Sequence, residues 1–147
     1  MSLEPLLQEL EKLVHRHIKL VDATRRAAIK AKRSGDTTIL DERAQKLLSV
    51  SKKLSKLLET LHGRASPSLE RLLDEELRDR LELLLFFLSE VGLREELSLW
   101  DYVAKHRDSL KGSITIEIAE YMAKRSEELR GLALDLLEKV KSLERAA

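Results

Sequence analysis

Apolar residues return every three or four positions through almost the whole chain, and this spacing constrains the fold more than any other feature. In the first 34 residues Leu3, Leu10, His17, Thr24 and Ala31 step by seven. Leu6/Leu7, Leu13/Val14, Leu20/Val21 and Ala27/Ala28 form a second line between them. On a helix such positions share one face, whereas a strand would need alternation. The pattern predicts helix 1 from Ser2, a candidate cap, to Ser34-Gly35. Its seam tapers from leucine to alanine.

The same logic continues. Leu40, Ala44, Leu47, Ser51, Leu54, Leu58 and Leu61 predict helix 2 from Thr38 to Leu61, closed by Gly63. Ser66-Pro67 reads as a cap followed by proline in the first turn. It opens helix 3, which runs through Leu69, Leu73, Leu77, Leu81, Leu84 and Leu88 to Val91. Gly92 is expected to interrupt it. A short helix 4 then spans Leu93 to Leu110, burying Leu97, Trp100, Val103 and Ala104. Gly112-Ser113 starts helix 5, with Ile118, Met122, Leu129, Ala133, Leu136, Val140 and Leu143 inward. Short links between helices make sequential neighbours antiparallel. The expectation is an all-α, antiparallel bundle of about five helices, with helices 1, 2, 3 and 5 long, in one domain over residues 1–147.

Composition supports the pattern and removes whole classes. Five Gly and two Pro leave little room for long loops, and 3% aromatics disfavour sandwiches, barrels and base-stacking surfaces. Without cysteine there is no disulfide framework and no thiolate zinc site. The longest apolar run, Leu83 to Leu88, is far short of a membrane span. The N-terminus lacks the layout of a secretion signal. A soluble cytoplasmic protein is therefore expected, without a membrane. Asparagine is absent, and Glu, Lys and Arg are abundant. That bias marks hyperthermophile proteins and computational designs alike, so a thermostable molecule of one origin or the other is expected.

Motifs for chemistry are few. Glu59-Thr60-Leu61-His62 has the Glu-x-x-His spacing of di-iron bundles, but the second such unit those sites need is missing. His62 reads instead as a cation favourable to a helix C-terminus, and no metal is expected. The stretch from Ala28-Ile29-Lys30-Ala31-Lys32 to Leu40-Asp41-Glu42-Arg43 resembles the helical chorismate mutases over about fifteen residues. Their clamp has an arginine about three turns before the lysine. Lys19 to Val21 occupy that place here, and the chain is not assigned to the family. No phosphate loop, metalloprotease helix or nucleophile turn is present, so no catalytic residue is nominated and enzymatic activity is not expected.

Two features remain. His17 falls on the core line of helix 1. It reads as a buried structural histidine bonded to Thr24 or Ser51, so that His17→Leu should be tolerated. As an alternative it is a cofactor-binding residue, with haem the candidate. Charge is the second feature. Residues 1–65 carry a net +6 and residues 66–147 a net −5. Arg16, Lys19, Arg26, Lys30 and Arg33 form a basic stripe on helix 1. Its expected partners are Asp74, Glu75, Asp79 and Glu82 of helix 3. The alternative is a nucleic-acid-binding stripe. The expected role is a non-enzymatic interaction or scaffold module with a protein partner or self-association. A ligand at His17 and nucleic acid at the stripe stand as rival readings.

Overall fold

The computed structural model describes residues 3–63 and 74–146. Every regular element among them is helical: α1 (Glu4–Ser34), α2 (Thr38–Gly63), α3 (Glu75–Phe87), α4 (Leu93–Lys105) and α5 (Ile114–Ala146). A π turn, Leu88–Gly92, carries α3 directly into α4. Joined, these make four helices, not five. Gly92 does not interrupt the chain: its φ of −58° and ψ of −54° are helical.

Local signals set most of the ends. Gly35 at φ 79° lets its N–H bond Ala31 O and stop α1. Ser2 lies outside the described residues, as do Ser66, Pro67, Leu69 and Leu73. Helix 3 does not run unbroken from Ser66, because Asp74 is extended and its side chain accepts from Leu77 N. That is an N-cap, so the helix proper begins at Glu75. Likewise α4 ends at Lys105, and residues Arg107–Leu110 form a single 3-10 turn.

Residue pairs across the helices give their directions. Arg80 faces Glu4 and Glu11, and Arg25 bonds Glu95, so α1 and α3–α4 run the same way. Asp41 bonds Thr115, Ser51 bonds Arg125 and His62 bonds Asp135, so α2 and α5 also run together. Ser126 meets Glu96 while Arg130 meets Glu90, so α4 and α5 are antiparallel. Each of α1 and α5 therefore packs between α2 and the α3–α4 helix. Short links therefore do not make every consecutive pair neighbours: α2 has α1 and α5 beside it.

The inward faces of α1 and α2 follow the expected seams closely, except that Leu6 and Leu20 are only half-buried and Val50 and Leu57 join the core of α2. On α4 the seam is rotated. Leu93, Glu96, Leu99, Trp100 and Val103 are buried, while Leu97 is half-buried and Ala104 exposed. On α5, Met122, Leu129, Ala133, Leu136 and Val140 are buried and Ile118 is half-buried. Two apolar clusters result. One is rich in leucine, from Leu3, Leu7 and Leu10 across to Leu136 and Val140. In the other, Ala27, Ala28, Ala31 and Ala44 surround Trp100 and Met122. The alanine taper of α1 thus makes room for the only tryptophan, keeping the interior close-packed.

Asp41 ties the start of α2 to the start of α5. From the first turn of α2 its Oδ1 accepts from Ser113 Oγ at 2.5 Å, Thr115 Oγ1 at 2.7 Å and Thr115 N at 3.0 Å. A carboxylate of one helix thereby caps the N-terminus of another, where free N–H groups and the helix dipole favour negative charge. Burial raises the Asp41 carboxyl's affinity for a proton, but these bonds outweigh it and hold the group below the ordinary value of 3.8. Because the folded value is depressed, its stabilisation is complete above the unfolded value and lost as pH falls through the folded one. Asp41→Ala should cost about 1–2 kcal/mol at neutral pH. In paired urea titrations the gap between parent and variant should narrow as pH falls below the ordinary value of 3.8. A gap unchanged at acid pH would refute the cap.

Candidate functional site

Between the two apolar clusters lies a layer of polar side chains, one from each helix. His17 sits between Val14 and Val21 on α1, and Ser51 between Leu47 and Leu54 on α2. Glu96 sits between Leu93 and Leu99, and Ser126 between Met122 and Leu129. At the centre is the Glu96 carboxylate, wholly buried. His17 Nε2 lies 2.6 Å from its Oε1. Trp100 Nε1 donates to Oε2 at 2.8 Å, and Ser126 Oγ to the same oxygen at 2.6 Å. An indole nitrogen can only donate, so Oε2 is an acceptor, while Oε1 and His17 Nε2 share one proton between them.

His17 was expected to bond Thr24 or Ser51, and it bonds neither. The Thr24 hydroxyl donates to Leu20 O one turn earlier, and Ser51 Oγ accepts from Arg125 Nε at 3.0 Å. The true partner, Glu96, lies 79 residues away. Its signal was in the sequence: Leu93, Glu96, Trp100 and Val103 share a helix face at steps of three and four. Placing the seam on Leu97 and Ala104 hid it. His17→Leu would leave the buried Glu96 Oε1 without its imidazole partner.

The second nitrogen of His17, Nδ1, has no hydrogen-bond partner. It lies against Gly92, where an added Cβ would stand 3.0 Å from Nδ1 and 3.4 Å from Cε1. This close approach is why glycine occupies the π turn. It also leaves no gap for a ligand on that side, and the other nitrogen is engaged by Glu96. A haem at His17 would have to displace one or the other. The side chains of the layer are buried, and one carboxylate joins α1, α4 and α5 and so fixes the register of these helices.

The Glu59–His62 pair does not converge. Glu59 is reached by Ser55 at 3.5 Å on its own helix, whereas His62 bonds Asp135 of α5 at 2.5 Å. That bond, with Lys139 nearby, holds the exposed Asp135 carboxyl below its ordinary value despite a small opposing effect of burial. Among the described residues no three His, Asp or Glu side chains gather as a metal site would need.

The basic stripe lies on the outer face of α1, and all five of its residues are exposed. Lys19, Arg26, Lys30 and Arg33 line one open groove of about 750 Å³ beside α2, which adds Arg43. Ala23, Ala27 and Ala31 form its floor, and Asp22 and Asp36 are the only acids in the lining. Arg16 lines an adjoining depression that shares Lys19. The expected pairing with helix 3 is not found. Arg26 pairs with Asp22 of its own helix at 2.8 Å. Among the described residues, no ion pair engages Arg16, Lys19, Lys30 or Arg33. It is Arg25, off the stripe, that crosses to α4 and bonds both Glu95 Oε2 and Glu95 O. Asp74 caps α3 instead, and α3 turns Arg80 toward α1. Asp36 faces inward to its own turn. Bonds from the Thr38 backbone and hydroxyl hold its carboxyl ionised below the ordinary value.

No helix among the described residues is long and apolar enough to cross a membrane. Comparison with protein-family models, curated proteins and solved structures finds no match to this chain.

Proposed function

We propose that this chain is a non-enzymatic helical-bundle interaction module whose α1–α2 face docks a nucleic acid by its phosphate backbone. One observation carries the reading: the stripe's cations are not neutralised by the neighbouring helices and converge on an open groove with five cations against two aspartates. From Arg16 to Arg33 the stripe spans 17 residues, about 25 Å of helix. That length reaches several successive phosphates. The groove lining has no aromatic side chain on which unpaired bases could stack, which favours a duplex over a single strand. Contacts of this kind position a protein on a backbone without reading sequence.

Binding of a labelled duplex across a salt series tests this. Affinity should fall steeply with salt, because bound cations release counterions. Lys19→Ala/Lys30→Ala should weaken binding for every sequence alike and flatten the log–log slope by about 2. Absence of duplex binding at low salt would sink the proposal. So would a duplex affinity matched by an acidic peptide or an anionic vesicle, and untouched by the two substitutions.

A further inference from the structure

The chain has two phenylalanines, and both face solvent. Phe86 is 51% exposed and Phe87 36%, with Leu83 at 69% and Val91 at 37% beside them. These four follow one another at steps of three, one and four along the outer side of α3 and its π turn. Together they leave an apolar stripe on one side of the helix, a feature that marks an interaction surface when it is rimmed by polar groups. Next to the stripe is a notch of about 420 Å³ between α3 and α5, lined by Leu83, Phe86 and Leu137, with Asp79, Glu82 and Lys141 at its rim. It is large enough to take an aromatic ring.

We infer that this face joins two copies of the chain, α3 against α3 in antiparallel register about a two-fold axis between Phe86 and Phe87. The occupant is set by the charges flanking the stripe. Asp79 and Arg94 stand equally far on either side of that midpoint, both exposed and about 22 Å apart along the helix, with Arg94 held at the surface by Glu90 of its own helix at 3.4 Å. In a two-fold pairing each Asp79 meets Arg94 of the other copy, twice over, as a self-complementary interface requires. In the same register Phe87 of one copy points toward the notch of the other. An unrelated partner would have no reason to find this mirrored order of acid, apolar stripe and base within one helix. The apolar centre with a charged rim has the layout of a protein interface. No residue of this face lines the basic groove, so the inference stands or falls apart from the proposed nucleic-acid binding.

Sedimentation equilibrium of the full chain at micromolar concentration reads it directly. The expected mass is twice 16.9 kDa. Leu83→Glu/Phe87→Glu should give the monomer with an unchanged helical circular dichroism spectrum, since both side chains are exposed. The charge swap tests the register: Asp79→Arg should weaken the dimer at least tenfold, and Asp79→Arg/Arg94→Asp should restore it. A monomeric parent protein, or a dimer indifferent to the Leu83/Phe87 change, would overturn the inference. A dimer broken by that change but insensitive to the charge swap would overturn the two-fold register.

Discussion

Glu96→Ala is expected to destabilise the protein by several kcal/mol, at about 1–3 kcal/mol for each buried polar group left without a partner. The carboxylate is the sole acceptor described for the Trp100 indole and meets His17 Nε2 and Ser126 Oγ as well. All four side chains are buried, so water cannot replace the lost bonds without opening the layer. Ser126 alone has a second acceptor, Met122 O at 2.8 Å. Glu96→Gln should cost less, because its amide oxygen can still accept from Trp100 and Ser126. Urea denaturation of both variants gives the comparison, provided the slope with denaturant is unchanged. A loss under about 1 kcal/mol for Glu96→Ala, within the range of an ordinary surface change, would show that the layer does not hold the fold.

Gly92→Ala should also destabilise, by about 1–3 kcal/mol, although alanine normally favours a helix. At a helical φ and ψ the propensity gain is about 1 kcal/mol. Against it, the new methyl carbon would sit 3.0 Å from His17 Nδ1. The imidazole cannot swing aside cheaply, because Glu96 holds its opposite nitrogen at 2.6 Å. Forcing an extra carbon into such a site costs more than propensity returns. Removing the obstacle should therefore reverse the sign. In a His17→Ala background, Gly92→Ala is expected to stabilise by up to about 1 kcal/mol. The double-mutant cycle should give a coupling of about 2 kcal/mol or more, and additive effects would show that Gly92 is not there for His17.

Neither prediction could be written from the sequence, and the reason is distance along the chain. Helical periodicity is local: it needs only neighbours three and four positions away. It placed His17, Thr24, Ser51 and nearly every core residue of α1 and α2 correctly, and with the composition it established an all-helical protein. Caps are local too, which is why the Gly35 stop and the start of α5 near Ser113 were legible. Gly92 was misread because a glycine in a helix has two causes, a break or a close approach by another helix. Only the position of His17, 75 residues earlier, tells them apart.

The basic stripe divides in the same way. Its five exposed residues follow from spacing on one helix, and the sequence determined them. Whether acids of a neighbouring helix neutralise them depends on which helices adjoin and how each is rotated. The tertiary structure turned Arg80 of α3 toward α1 and gave Glu95 to Arg25, leaving the stripe beside α2 and open to solvent. The sequence by itself determined the helical class, most of the buried faces of α1 and α2 and the taper that accommodates Trp100. The tertiary structure decided the partner of the buried histidine, the use of Gly92 and the open state of the groove. The physical reason is that helix formation and amphipathicity are set by bonds and contacts within a turn or two. Polar partners and grooves arise where separate helices meet, and one extra residue in a π turn is enough to re-aim every side chain after it.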